Sequence, residues 1–144
     1  MPLLTRVYVR TGLIYLAVGA LLGGLILWNK GAPAGLNVWR WLAPHISLMT
    51  WGWLWHLTLG VAFWILPRFT DPARAGRATS AKRGRVWLAW VAYVCLNASL
   101  VLVAATPWLR GPWPNALAGL LQTLAALAFV FHAWPRVRPS AYGR

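Results

Sequence analysis

The stretch PHISLMTWGWLWHLTLGVAFWILPR, residues 44–68, holds two of the chain's three histidines and is almost wholly apolar between His45 and Pro67. An apolar run of this length that ends at proline and arginine predicts a membrane-spanning helix, since about 20 apolar residues cross a bilayer. Histidines are costly in such a helix unless they have a partner. The same stretch therefore bears on both the fold and the chemistry of the chain.

The composition of the whole chain fits a membrane protein. Of its 144 residues, 60% are hydrophobic and only 10% are charged, whereas about a quarter of a soluble domain is charged. The formal net charge is +13, but the basic residues lie between apolar runs and form no recognition motif. The expected partners are therefore membrane lipids and not nucleic acid. A single cysteine, Cys95, excludes an intrachain disulfide and a thiolate metal cluster.

Four apolar segments are long enough to span a membrane. They cover residues 11–28, 45–66, 86–105 and 113–134, and each is bounded by charge, proline or both. No segment between them is long enough for a separate soluble domain. The sequence therefore predicts a single transmembrane domain over residues 1–144, an all-α antiparallel bundle of four helices.

The basic residues are distributed unevenly between the two sides of this predicted bundle. One side has eleven: Arg6, Arg10, Arg68, Arg74, Arg77, Lys82, Arg83, Arg85, Arg136, Arg138 and Arg144. The other side has three: Lys30, Arg40 and Arg110. Because basic loops remain in the cytoplasm, both termini and the middle loop are predicted to be cytoplasmic, in a multi-pass protein of the bacterial inner membrane.

Small residues are spaced four apart in the first predicted helix, as Gly19 and Gly23 and as Ala20 and Gly24. Such faces allow helices to approach closely in lipid. The spacing is compatible with packing inside the bundle and equally with a homodimer contact.

One face of the second predicted helix carries the candidate ligands. At about 100° per residue, His45, Met49, Gly52, His56 and Gly60 share this face. The two glycines lie one turn either side of His56 and make room beside its ring for a flat cofactor or for a neighbouring backbone. A structural alternative gives His56 a polar partner on the third or fourth helix, and the candidates are Asn97, Ser99, Gln122 and Thr123.

The second helix also resembles a helix of a known family. His45-x-x-x-Met49, the aromatic run that follows, Gly60 and the closing Trp64-Ile65-Leu66-Pro67 are similar to the second helix of subunit I of the haem-copper oxidases, which include cytochrome c oxidases and nitric oxide reductases. The resemblance implies that His45 is an axial haem ligand near the outer end of its helix. It also implies a short four-helix relative that takes part in respiratory electron transfer or gas sensing.

The chain has no counterpart for the other ligands of that family. It lacks paired histidines for copper, a second haem ligand and an acidic residue in a predicted helix, so catalysis by the isolated chain is not expected. Relative to His45 at the outer boundary, His56 lies about 16 Å deep and His132 about 28 Å deep, at 1.5 Å per residue. A haem would therefore need a single ligand, either His45 or His56, or a partner from a homodimer or another respiratory membrane subunit. His132 is expected at the inner boundary near a helix C-terminus, where a cation is favoured.

Two functions follow from these observations. One is a haem-binding membrane subunit in which His45 or His56 holds the metal. The other is a non-catalytic membrane scaffold or assembly subunit without a cofactor. A small transporter is disfavoured, because the predicted helices contain no carboxylate and no paired breaks.

Overall fold

The computed structural model describes residues 1–32, 37–67 and 84–137, and every regular element within these ranges is helical. The α-helices are α1 (Leu3–Gly31), α2 (Leu42–Ser47), α3 (Trp55–Ile65), α4 (Val86–Ala105) and α5 (Trp113–Ala133). A π-helical segment (Leu48–Leu54) joins α2 to α3, and 3-10 turns occur at Val38–Trp41 and Trp134–Arg136. Within these ranges, three helices are individually long and apolar enough to cross a membrane: Leu3–Gly31, Val86–Ala105 and Trp113–Arg136.

The second predicted helix forms, over residues 42–65, but it is not α-helical throughout. The backbone keeps right-handed helical dihedrals at Ser47, Leu48, Leu54 and Trp55, where α2, the π segment and α3 meet. The N–H of Trp55 donates to the carbonyl of Thr50, five residues back. Each of the three pieces is shorter than the roughly 20 residues of a membrane span, so the fourth span remains a prediction.

The helix boundaries differ from the predicted ones mainly at the N-terminus. α1 begins at Leu3 and not at residue 11, because arginine is a good helix former and both Arg6 and Arg10 have exposed side chains. α4 has the predicted bounds, and α5 ends one residue before the predicted end. Most of the basic middle loop, residues 68–83, lies outside the described residues.

The contacts between helices give their relative directions. Three hydrogen bonds run in the same order along α1 and α4: Tyr8 to Ala89, Thr11 to Tyr93 and Tyr15 to Asn97. These two helices are therefore parallel. Arg136, just after α5, bonds to the carbonyls of Phe63 and Leu66 at the end of α3, so α5 runs parallel to α3. Gly12 of α1 faces His56 and Gly23 faces His45, so α1 is antiparallel to residues 42–65, and the four helical stretches alternate in direction along the chain.

Small side chains bring α4 and α5 close together. Ala89, Ala92 and Ala125 are fully buried in the core, with Leu96 and Phe129 beside them. Alanine at such positions allows two backbones to approach. Outside this core many large apolar side chains are exposed, and their distribution suits lipid better than water.

Candidate functional site

The face of residues 42–65 that carries the candidate ligands packs against glycines of α1. A Cβ atom added to Gly12 would lie 3.3 Å from His56 Cβ. One added to Gly19 would lie 2.7 Å from Met49 Sδ, and one added to Gly23 would lie 2.6 Å from His45 Cε1. A methyl group at Gly19 or Gly23 would force the facing side chain to move, and one at Gly12 would be a tight contact. We call this interface, together with the two contacts below, the glycine seam.

The glycine seam also contains glycines of residues 42–65 that face side chains of α1. Gly52 and Gly60 face the side chains of Tyr15 and Tyr8, whose Cβ atoms lie 2.8 Å from the positions that a Cβ on each glycine would take. The space beside His56 that the sequence assigned to a cofactor or a backbone is thus filled by tyrosine side chains. On both helices the contacts recur every three or four residues, the spacing at which antiparallel helices interlock.

Both ring nitrogens of His56 are hydrogen-bonded. Nδ1 lies 3.1 Å from the carbonyl oxygen of Trp51 and therefore carries the proton that it donates. Nε2 accepts from Nδ2 of Asn97 at 3.1 Å. The side chain is 0% exposed, so neither nitrogen could bind a metal without breaking one of these bonds. Asn97 is one of the partners proposed from the sequence; Ser99 and Thr123 bond to carbonyls of their own helices instead.

Asn97 joins this histidine to α1 and to its own helix. Its Oδ1 accepts from the Tyr15 hydroxyl at 2.6 Å, and its Nδ2 also donates to the Tyr93 carbonyl at 2.8 Å. A single amide therefore joins three parts of the chain, α1, α3 and α4, in one partly buried network. Buried polar groups in a membrane protein need such partners, because lipid offers none.

Three tyrosine rings surround the imidazole of His56. Their centroids lie 5.6 Å (Tyr8), 5.3 Å (Tyr15) and 5.7 Å (Tyr93) from that of His56. The sequence analysis did not identify these residues. The signal that could have found the first two is their seven-residue spacing in α1, with Gly12 and Gly19 each four residues further on.

His45 lies at the other end of the seam and is only partly buried. Its Nδ1 donates to the carbonyl of Gly19 at 2.8 Å. Within the described part of the chain its Nε2 has no hydrogen-bond partner. The residue borders a cavity of about 250 Å³ that Lys30 and Trp39 also line.

The surroundings of His45 fit a haem only in part. An imidazole whose Nδ1–H is held by a carbonyl presents Nε2 in the manner of a metal ligand. The adjoining cavity of about 250 Å³, however, is smaller than the roughly 300–1,000 Å³ typical of ligand pockets. His56 lies eleven residues away along the same helix with both nitrogens bonded, and Met49 is packed on Gly19. These residues as arranged do not form a haem site.

His132 is buried in the last turn of α5, and its hydrogen bonds are those of a neutral ring and not of the cation that the sequence predicted. Its Nδ1 donates to the carbonyl of Arg85 at 3.1 Å, and its Nε2 accepts from Nη1 of Arg136 at 2.8 Å. A nitrogen that accepts from a guanidinium carries no proton of its own. The ring also stacks on Phe63, with centroids 5.2 Å apart.

Arg136 caps the end of α3 and is another residue that the sequence analysis missed. Its Nη2 donates to the carbonyls of Phe63 at 3.1 Å and Leu66 at 2.7 Å, and its Nε donates to that of Pro67 at 3.0 Å. The side chain is 1% exposed. The last carbonyls of a helix have no partner within it, so this arginine stabilises an end that would otherwise need water.

Comparisons with known proteins do not place the chain in a family. No protein-family model, no curated protein and no solved structure matches it. Among residues 1–32, 37–67 and 84–137, no three His, Cys, Asp or Glu side chains come together as a potential metal-binding group. Three of the described helices are long and apolar enough to cross a membrane, as the helices of membrane proteins are. The resemblance to the haem-copper oxidases remains a prediction from one helix.

Proposed function

We propose that the chain is a four-span integral membrane protein of the bacterial inner membrane that acts as a non-catalytic scaffold or assembly subunit. The observation that carries this proposal is the use of the candidate ligand face in packing. Both nitrogens of His56 are bonded, and Gly52 and Gly60 receive tyrosines of α1. A face used in this way stabilises a bundle.

The four spans are supported by helix length and direction. Residues 42–65 would extend about 36 Å at 1.5 Å per residue, which exceeds a hydrocarbon core of about 30 Å. The alternating helix directions agree with four successive crossings. The excess of basic residues in the first turns of α1, in the middle loop and after α5 supports cytoplasmic termini.

The scaffold role is supported by apolar helix surfaces that remain exposed in the packed bundle. Leu21, Ile65 and Val101 are each at least two-thirds exposed, on three different helices. Apolar helix faces of this kind can bind lipid or the helices of other membrane subunits. The basic middle loop supplies a second contact region, for anionic headgroups or an acidic partner.

The experiment that tests this proposal measures haem absorption and thermal stability in the same variants. The protein is expressed with ample haem and purified in detergent, and its absorption spectrum is recorded in oxidised and reduced forms. We expect no Soret band in the wild type, and in His56→Ala a lower midpoint of thermal unfolding with the same spectrum. A Soret band that is lost in His56→Ala would contradict the scaffold proposal.

A haem-binding respiratory subunit is the second candidate, and His45 is the observation that favours it. Its Nδ1–H is held by Gly19 and its Nε2 lies beside a cavity. This candidate requires the cavity to widen, or a second ligand from a homodimer or a neighbouring subunit. It predicts a Soret band that disappears in His45→Ala and remains in His56→Ala, with haem content that follows the dimer fraction if two copies share the iron.

A further inference from the structure

The cavity beside His45 lies where α1 ends and residues 42–65 begin. Its volume is about 250 Å³. Two of its lining residues, Lys30 and His45, are polar, and the apolar wall includes Leu27, Trp39 and Leu42. We infer that this cavity binds the headgroup of an anionic phospholipid that carries a hydroxyl group, such as phosphatidylglycerol. The inference goes beyond the scaffold role and requires only that the chain is inserted in a membrane.

His45 sets the need for a hydrogen-bond donor. Its Nδ1–H is committed to the carbonyl of Gly19 at 2.8 Å, and the ring lies against Gly23, which fixes its position. The neutral imidazole then presents Nε2 as an acceptor. A hydroxyl on the headgroup supplies the hydrogen that Nε2 lacks in the described part of the chain.

Lys30 sets the need for a negative charge. It is exposed in the last turn of α1, and the only acidic residue of the whole sequence is Asp71, in the middle loop. A lipid phosphate supplies the anion that the described residues do not. Phosphate oxygens are good acceptors for an ammonium group at a membrane surface.

These two requirements together select one headgroup chemistry. A choline headgroup has no O–H or N–H to donate to His45. An ethanolamine headgroup would bring a second ammonium close to Lys30. A glycerol headgroup satisfies both residues, with its hydroxyl on Nε2 and its phosphate beside the lysine.

The size and position of the cavity agree with a headgroup. A volume of about 250 Å³ holds a phosphoglycerol group and leaves the acyl chains outside. Leu27 and Trp39 are more than half exposed at its rim, and tryptophan is enriched at the level of lipid headgroups. The chains can then continue along the exposed apolar surface of α1.

Lipid retention by the full-length protein tests the inference. The protein is delipidated in a neutral detergent and supplied separately with phosphatidylglycerol, phosphatidylethanolamine, phosphatidylcholine or inorganic phosphate. Bound lipid is then counted by native mass spectrometry, and unfolding midpoints are measured. We expect preferential retention of phosphatidylglycerol, and about fivefold less in Lys30→Gln, since a single basic side chain contributes about that factor. His45→Ala removes the acceptor for the headgroup hydroxyl and should also retain less of this lipid.

Arg40→Gln is the matched control, because Arg40 lies at the same end of the bundle but over the ring of Trp108, 6.0 Å from its centroid. It should retain phosphatidylglycerol as the wild type does. Equal retention in Lys30→Gln and wild type would overturn the inference, and this exposed side chain can be replaced without loss of fold. Equal retention of phosphatidylcholine, or the same rise in unfolding midpoint with inorganic phosphate alone, would also overturn it. Carbonate extraction of membranes tests insertion separately, and the Soret band tests the cofactor question separately.

Discussion

Gly23 and Gly24 are adjacent in α1 but differ in what a methyl group would meet. A Cβ on Gly23 would lie 2.6 Å from Cε1 of His45, whereas nothing in the described part of the chain lies within 4 Å of one on Gly24. Of the two small-residue pairs in the sequence, Gly19 and Gly23 belong to the glycine seam. The other pair's Gly24 faces open space.

Gly23→Ala should therefore destabilise the protein, and Gly24→Ala should not. The added methyl group at position 23 must displace the ring of His45, an overpacking that typically costs about 1–3 kcal/mol. At position 24 the change should remain within about 0.5 kcal/mol. Unfolding in detergent, followed by tryptophan fluorescence, measures both. Equal stability of the two variants would contradict the seam.

At the residue scale the sequence predicted which side chains share a face but not what covers it. The positions of His45, Met49, Gly52, His56 and Gly60 follow from helical periodicity alone. The same pattern suits a cofactor and a neighbouring helix, because both need the space that glycine leaves. The choice depends on the tyrosines of α1, which lie far away in the sequence and show their role only once the two helices are paired.

Between helices, removal of the hydrogen bond from Tyr15 to Asn97 tests the partly buried network around Asn97. Tyr15→Phe removes the hydroxyl that lies 2.6 Å from Oδ1 of Asn97 and should cost about 1 kcal/mol. A double-mutant cycle with Asn97→Ala should show coupling of at least about 0.5 kcal/mol. Thr123→Ala is the control, since the exposed Thr123 bonds only within its own helix. Additive effects in the cycle would argue against the network.

At the end of α3, Arg136→Gln should loosen the last turn. The variant loses the guanidinium that donates to Phe63, Leu66 and Pro67. Of these three residues Phe63 is buried, and a buried carbonyl left without a partner costs about 1–3 kcal/mol. Arg136→Lys should restore only part of the stability, because an ammonium lacks the planar fork. Hydrogen exchange at the last residues of α3 measures the effect, and full rescue by lysine would contradict the capping role.

The helices were predicted with unequal success, and each difference has a physical reason. α4 is bounded by Gly84 and Pro107, both of which interrupt a helix, so its limits follow from the sequence. The start of α1 was placed too late because exposed arginines do not end a helix. The π segment has no sequence signal, since Leu48–Leu54 is apolar on nearly all sides and gives no periodicity that separates a π turn from an α turn.

For the molecule as a whole, the positive-inside rule predicts that the orientation depends on the basic residues of the middle loop. Replacement of Arg74, Arg77, Lys82 and Arg83 by glutamine should lower the fraction of molecules whose C-terminus is cytoplasmic, because the charge difference that sets orientation is reduced. A C-terminal reporter active on only one side of the membrane measures this fraction. Glutamine at Lys30, Arg40 and Arg110 is the control and should leave the orientation unchanged. An unaltered fraction of cytoplasmic C-termini in the loop variant would argue against the loop charge as the determinant of orientation.

The order of the three histidines along the bundle was predictable for the whole molecule, although most of their partners were not. His45 lies beside Gly23, His56 beside Gly12, and His132 beside Phe63 at the far end of α3. These contacts separate the three rings along the bundle, as the residue spacing predicts. The bond from His132 to the carbonyl of Arg85 joins residues far apart in sequence, and the bond from Arg136 spans only one helical turn. Asn97 was one of four candidate partners for His56, and the assembled helices select it.

The bond between Asn97 and His56 also orders events during synthesis of the chain. Asn97 follows His56 by 41 residues, which a ribosome adds in about 2–8 s at 5–20 residues per second. During that interval α1 and residues 42–65 can already associate through glycines and tyrosines, while Nε2 of His56 still lacks its amide. The arrival of α4 then satisfies this nitrogen, and with it the hydroxyls of Tyr8, Thr11 and Tyr15. The newly made hairpin thus passes through a stage with several unpaired polar atoms that the next helix removes.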